Sequence, residues 1–405
     1  MKKRILYSMI FVDMILLAMA GGEIYARVKH GALLGAKSRE MSYRRADMKL
    51  NHSFIPGGKG RSVMREWNVS YDINSGGLRD REYPVEKGEG VYRILFIGDS
   101  FTEGYGVEAE KCFVKLLESK LNGESRSPRT FEVINCGIAS NSPLLEYLFL
   151  KDKGLGMDPD MVILAYDPGD LYDDHDYGKT VTVDGAGVPL SCPPEKRVRA
   201  FSDNPIEKFL VRHSRYYLYL EEDINKFLFK IRGIGFKKYV LDNITGKSHD
   251  LYKDDRRLDI DKFVAFRPEK ADLIPGLWQK NREHIALMAR ELRKKGIPFV
   301  IVTYPYALEI SADEWKEGRA EYGFKRTVYP RPSVLGLLND FSAENGIMRI
   351  DTYPSFAEAT EGRPSFAGSE DKSLYYDFDG HFTEKGHDVA AASIYEGIRA
   401  MLTKE

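Results

Sequence analysis

Residues 92–106 read YRILFIGDSFTEGYG, and the interpretation of this stretch decides the fold. Ile94, Leu95, Phe96 and Ile97 form an unbroken apolar run, the pattern of a strand buried on both faces of a parallel sheet. It ends at Gly98-Asp99-Ser100, where glycine permits a sharp turn, and a helical pattern begins near Glu108. A serine here lies at the carboxyl end of a strand, the edge at which open α/β sheets place their ligand crevice. Asp99 reads as a cap of this turn.

The second informative stretch is DFDGHFTEKGH, residues 377–387. A hydroxyl nucleophile needs a neutral imidazole in reach, and the imidazole needs a carboxylate to fix its tautomer. Asp379 and His381 supply both on one short loop, and Thr383 reads as the N-cap of a helix running to about Leu402. The helix N-terminus disfavours imidazolium and so helps keep His381 a base. His387 falls inside that helix, where packing or exposure is its expected lot.

Outward from these stretches the α/β rhythm is regular. Residues 131–136 (FEVINC), 161–166 (MVILAY), 298–304 (PFVIVTY) and 348–351 read as strands. Residues 143–154, 274–295 and 334–346 read as helices. Alternation of this kind predicts a three-layer α/β/α sandwich with a mostly parallel, five-stranded, flavodoxin-like sheet.

GDSFTEG and DGHFTEKGH resemble the first and last blocks of the SGNH (GDSL-type) hydrolase superfamily, and NSGGLRDRE (residues 74–82) is similar to the lead-in of its bacterial membrane-anchored members. The resemblance implies a serine esterase-type hydrolase acting on carboxylic, O-acetyl, esters. Ser100 would be the nucleophile, His381 the base and Asp379 the orienting acid. Asp377 is the backup carboxylate, since many relatives space the pair Asp-x-x-His and this chain has Phe378 three residues before His381. For the oxyanion hole the resemblance implies the N–H of Ser100 and of a residue just past the second strand, Ser140 by alignment or Gly137 if the loop is shifted. After the third strand the family carries an Asn-Asp pair whose Asn donates to the oxyanion. Aligning Asp170 with that Asp leaves Gly169 in the place of the Asn, with Asn141 a neighbour that could substitute. The alternatives are an O-acetyltransferase acting on an extracytoplasmic polysaccharide and, because of Gly169, a degenerate glycan-binding scaffold.

The chain has 405 residues, 43% of them hydrophobic, enough for a sizeable core. A formal net charge of −1 gives no field favouring nucleic acid. The substrate expected is a small-molecule or glycan ester. Cys112, Cys136 and Cys192 have neither metal-ligand spacing nor a disulfide pattern. Asp170, Asp173, Asp174, His175 and Asp176 form an acidic cluster read as a solvated loop, and no metal or cofactor is expected.

Lys2-Lys3-Arg4 precedes an apolar run from Ile5 to Ala20, a signal-anchor or signal-peptide pattern over residues 1–22. The run is short beside the ~20 residues of a spanning helix, and Asp13 interrupts it. Glu23 and Arg27 fit the Glu-x-x-x-Arg pattern of the anchored relatives. The expectation is a membrane-attached protein with its catalytic domain outside the cytoplasm, or a secreted one if the signal is cleaved at Ala18-Met19-Ala20. Residues 23–90 read as a linker and lead-in without a core of their own, and His52 within them is assigned no chemistry. The hydrolase-like domain spans residues 91–405. It carries an insertion at about 177–272 that includes a helical pattern at 209–229 and charged stretches at 230–238 and 247–257.

Overall fold

The computed structural model describes Tyr7 and residues 10–14, 16–28, 42–64, 66–124, 129–194, 213, 214, 216, 217, 260–361 and 373–402. The chain divides into two compact units, one of residues 47–193 and 259–405, the other of residues 1–46 and 194–258. In the second unit residues 10–28 are helical where described, and Arg27 Nε donates to Glu23 Oε1 at 2.7 Å one turn away. Among the described residues no helix is long and apolar enough to cross a membrane, so the spanning anchor finds no support there. Most of the expected insertion, including nearly all of the helix at 209–229 and both charged stretches, lies outside the described residues.

Ahead of its main sheet the larger unit carries a hairpin of β1 (Lys59–Val63) and β2 (Asn68–Asp72). The sheet follows as β3 (Val91–Gly98), β4 (Thr130–Gly137), β5 (Met161–Tyr166), β6 (Phe299–Thr303) and β7 (Met348–Asp351). Their spatial order is β7-β6-β5-β3-β4, and every pairing is parallel. The helices named below are α1 (Ser100–Glu103), α2 (Phe113–Glu124), α3 (Pro143–Asp152), α4 (Asp170–Tyr177), α5 (Ile274–Lys294), α6 (Lys316–Glu321), α7 (Val334–Glu344) and α8 (Glu384–Leu402).

Successive strand side chains point to opposite faces, so each continuous apolar run feeds two cores. On one face Ile94, Phe96, Val133, Ile163 and Val302 pack with Phe113, Leu117 and Leu121 of α2 and Ile394 and Ile398 of α8. On the other, Leu95, Ile97, Ile134, Leu164 and Ile301 pack with α3, α5 and α7 through residues such as Leu148, Ile285, Met288 and Leu338. This is the three-layer α/β/α sandwich that the strand–helix alternation predicts.

The expected linker is a different matter. Residues 59–64 and 66–82 are folded against the main body: Tyr71 and Arg79 are essentially inaccessible, and Trp67 is buried. Short polar strands punctuated by glycine carry too little periodicity to be read as strands, and their burial comes from partners far along the chain.

Candidate active site

β3 ends at Gly98, and α1 starts two residues later. The Asp99 side chain accepts the N–H of Phe101 at 2.9 Å and so caps this one-turn helix. Its other end is held by Arg79, whose guanidinium donates to the carbonyls of Glu103, Gly104, Ser70 and Val107. Ser100 is thus fixed at the helix start, with its backbone N–H unpaired among the described residues.

His381 reaches it from the loop before α8. Its Nε2 lies 2.7 Å from Ser100 Oγ, and its Nδ1 is hydrogen-bonded to Asp379 Oδ1. Burial works to raise the Asp379 carboxyl, but the charge and hydrogen bonds of His381 override it and hold the carboxyl below its usual range. Phe101 and Tyr105 flank the imidazole, with ring centroids 4.7 and 5.2 Å away. The structure therefore brings together Ser100, His381 and Asp379, residues drawn from two stretches 281 positions apart.

The backup carboxylate is elsewhere. The backbone carbonyl of Asp377 accepts the N–H groups of Glu317 and Gly318, and its side chain faces Lys316 N at the start of α6. The two-residue spacing of Asp379 lets its side chain fold onto its own loop, where it also accepts the His381 N–H at 3.2 Å.

The candidate oxyanion donors separate into two groups. Ser140 has φ +65°, a backbone conformation that favours glycine. Its carbonyl accepts the Tyr177 hydroxyl at 2.9 Å, and its N–H is unpaired among the described residues. Asn141 is buried, and its side-chain amide makes no hydrogen bond among the described residues. Gly137 and Gly169, by contrast, are not free donors. The Gly137 N–H goes to Asn135 Oδ1 at 2.9 Å, and that of Gly169 to Asp167 Oδ1. Their lack of a side chain serves packing. A Cβ on Gly137 would meet Glu103 N at 2.3 Å, where α1 crosses the end of β4. A Cβ on Gly169 would lie 2.8 Å from Asp167 Oδ1 and 3.1 Å from the Tyr306 hydroxyl, so these two groups occupy the room an Asn side chain would need.

The acidic residues after β5 are not a solvated loop. Asp170 and Asp174 are buried on α4, as are Asp99, Glu146 and Asp167 nearby. Asp174 accepts from Ser142 Oγ (2.6 Å), Leu144 N (2.9 Å), Asn281 Nδ2 (2.8 Å) and His284 Nδ1 (2.7 Å). Burial tends to raise that carboxyl, and His284 with the other donors brings it below the usual range. Asp99 is pushed well above its ordinary value by burial and then by the neighbouring Asp167, and it accepts the Tyr304 hydroxyl at 2.9 Å. Both oxygens of Glu146 lack a partner among the described residues, and burial raises it as well. No cluster of three His, Cys, Asp or Glu side chains among the described residues could hold a metal ion. The three cysteines are buried and free. His387 is buried against Phe113, whose N–H donates to His387 Nδ1 at 3.2 Å, and burial pushes its pKa down to about 3.

Sequence reasoning missed the residues that hold the His381 loop. Glu66, in the turn between β1 and β2, accepts the N–H groups of Asp377 (2.6 Å), Phe378 (3.1 Å) and Asp379 (3.0 Å). Trp315 Nε1 donates to the Phe378 carbonyl at 3.1 Å, and Glu314 accepts the N–H groups of Leu374 and Tyr375, each at 3.1 Å. Acidic residues in polar stretches carry no local mark of such distant partners.

No family model matches the chain, and no curated protein matches it. Among solved structures it is similar to a G-D-S-L family protein from Desulfitobacterium hafniense (12% identity, 75% of this chain and 98% of that one, TM-score 0.34). It is also similar to an acetyl xylan esterase (14%, 76% and 99%, TM-score 0.36). A third likeness is to a catalytic mutant of an acetylxylan esterase from Geobacillus stearothermophilus (14%, 76% and 94%, TM-score 0.35). At such identities and TM-scores these likenesses do not bear on activity, and the chemistry rests on the residues described above.

Proposed function

We propose that this chain is an SGNH-type serine hydrolase that cleaves carboxylic esters. The observation that carries the reading is the hydrogen-bonded series Ser100 Oγ, His381 Nε2, His381 Nδ1, Asp379 Oδ1, set at the carboxyl end of a parallel sheet. In this reading Ser100 attacks the ester carbonyl while His381 takes the hydroxyl proton. Asp379 holds the imidazole in the tautomer that leaves Nε2 free to accept and stabilises the imidazolium that forms. The oxyanion is held by the N–H groups of Ser100 and Ser140, with the Asn141 amide as the side-chain donor in place of the residue absent at 169. One such donor is worth on the order of 3 kcal/mol to the transition state. His381 then hands its proton to the leaving alcohol, and water, activated by the same imidazole, releases the acid.

The acyl group proposed is a short one, acetyl, the ester implied by the resemblance of GDSFTEG and DGHFTEKGH. The setting proposed is extracytoplasmic, on the strength of the basic Lys2-Lys3-Arg4 ahead of the apolar run. A fluorophosphonate probe should label the wild-type chain and not Ser100→Ala. An ester panel should show acetyl preferred to butyryl and octanoyl. Absence of labelling in both proteins would overturn the hydrolase reading in favour of a non-catalytic scaffold. Transfer of acetyl to sugar hydroxyls outrunning hydrolysis would replace it with acyl transfer.

A further inference from the structure

Three successive backbone N–H groups, those of Asp377, Phe378 and Asp379, converge on one carboxylate. Glu66 Oε1 accepts from Asp377 (2.6 Å) and Phe378 (3.2 Å), and Oε2 from Phe378 (3.1 Å) and Asp379 (3.0 Å). Consecutive N–H groups that turn to one side form a concavity suited to an anion. Here the anion is a side chain supplied from 311 residues upstream. Burial raises the Glu66 carboxyl, and the three N–H groups of the loop it grips oppose that in part. The neighbouring Trp67 packs between Tyr105, which follows the nucleophile helix, and Tyr376, which opens the base loop, at centroid distances of 5.3 and 5.0 Å. One turn thus touches both halves of the site.

We infer that Glu66 is a positioning residue: by gathering the N–H groups of Asp377, Phe378 and Asp379 it sets the loop so that Asp379 can hold His381 within reach of Ser100. This inference rests on the hydrolase reading for its catalytic consequence, not for the contact itself. Glu66 touches neither His381 nor Ser100 and acts only through the loop. Charge-assisted bonds to backbone N–H groups are the stronger kind, and three of them restrain the backbone on which the acid is carried. An imidazole displaced by about 1 Å loses on the order of 10²-fold in rate.

The test uses the full-length chain, p-nitrophenyl acetate as substrate, and the variants Glu66→Ala and Glu66→Gln. Glu66→Ala should lower kcat by roughly 10²-fold and leave KM within about twofold, since substrate-binding groups are untouched. Glu66→Gln keeps one acceptor oxygen and should lose roughly tenfold. Sodium formate should restore part of the Glu66→Ala rate by filling the vacated concavity, whereas sodium chloride at equal ionic strength should not, and the wild type should respond to neither. Amide hydrogen exchange over residues 373–382 should quicken in Glu66→Ala without any substrate present. Equal kcat in wild type and Glu66→Ala, or unchanged exchange in that segment, overturns the inference. If Glu66→Ala fails to fold, Glu66→Gln decides by the same two measurements. Should the wild type itself prove unreactive, the hydrolase reading fails, and the exchange measurement still decides whether Glu66 holds the loop.

Discussion

The two halves of the site are built in different ways. Ser100 is placed by a strand that stops, a capped one-turn helix and the sheet beneath it, so most of what holds it lies within a few residues or in the adjacent strand. His381 stands on a loop with no sheet under it. Its position is set by side chains from elsewhere: Glu66 from the first hairpin, and Glu314 and Trp315 from the segment before α6. A nucleophile on a rigid strand end has little room to drift. An imidazole on a loop is only as well placed as the hydrogen bonds that surround it. The comparison therefore predicts that the serine half fails through steric intrusion and the histidine half through loss of single hydrogen bonds.

The largest effect should come from the histidine half. Asp379→Asn should cost about 10⁴-fold in kcat by replacing the carboxylate that fixes the tautomer with an amide able to donate to Nδ1, while Asp377→Asn should stay within about twofold, as steady-state ester hydrolysis would report. Equal losses in the two would reverse the assignment of the acid. In the serine half Gly137→Ala drives a Cβ into the Glu103 backbone N at 2.3 Å and forces α1 off β4. The expected loss is about 10²-fold in kcat with roughly 1–3 kcal/mol in denaturant stability. Trp315→Phe removes one donor to the Phe378 carbonyl and leaves an aromatic ring in the same packing, so about a three- to tenfold fall in kcat is expected, with the melting temperature nearly unchanged.

A last effect, on stability and not on rate, concerns Glu146, buried on α3 beside Asp99 and Asp174. Burial raises its folded pKa well above the ordinary glutamate value of 4.5. Below that value the side chain is neutral in both states. As pH rises past it the unfolded chain ionises first, so wild-type stability should decline by about 1.4 kcal/mol per pH unit from this group until the folded pKa is reached. Glu146→Gln should flatten that part of the stability–pH curve, measured by chemical denaturation between pH 5 and 8 (roughly the interval in which most domains are most stable). A curve unchanged by the substitution would show that Glu146 finds a partner the fold does not display.

This contrast also explains what could be read from the sequence. The run Ile94–Ile97 and its stop at Gly98-Asp99-Ser100 are local, and so are Met161–Tyr166 and Met348–Asp351, whose ends agree with the observed strands. Asp379 and His381 were legible because they sit in one short block. Glu66, Arg79, Glu314 and Trp315 were not, because hydrogen bonds to partners tens to hundreds of residues away leave no periodicity behind. That the Gly137 and Gly169 N–H groups are engaged has a cause visible in the sequence. Asn135 and Asp167 each stand two residues before a glycine, and such side chains fold back onto the N–H two positions on. Asp99 with Phe101 and Asp379 with His381 repeat the motif. A glycine in that position is already engaged and should not be counted as a free donor.

Arg79 and Glu66 both precede the first strand of the sheet, although one secures the helix that bears the serine and the other the loop that bears the histidine. A shortened chain begun at Val91 would keep every strand of the sandwich together with Ser100, His381 and Asp379, yet lack both clasps. The domain boundary drawn from the sheet alone therefore cuts away the two groups that hold the serine helix and the histidine loop in place.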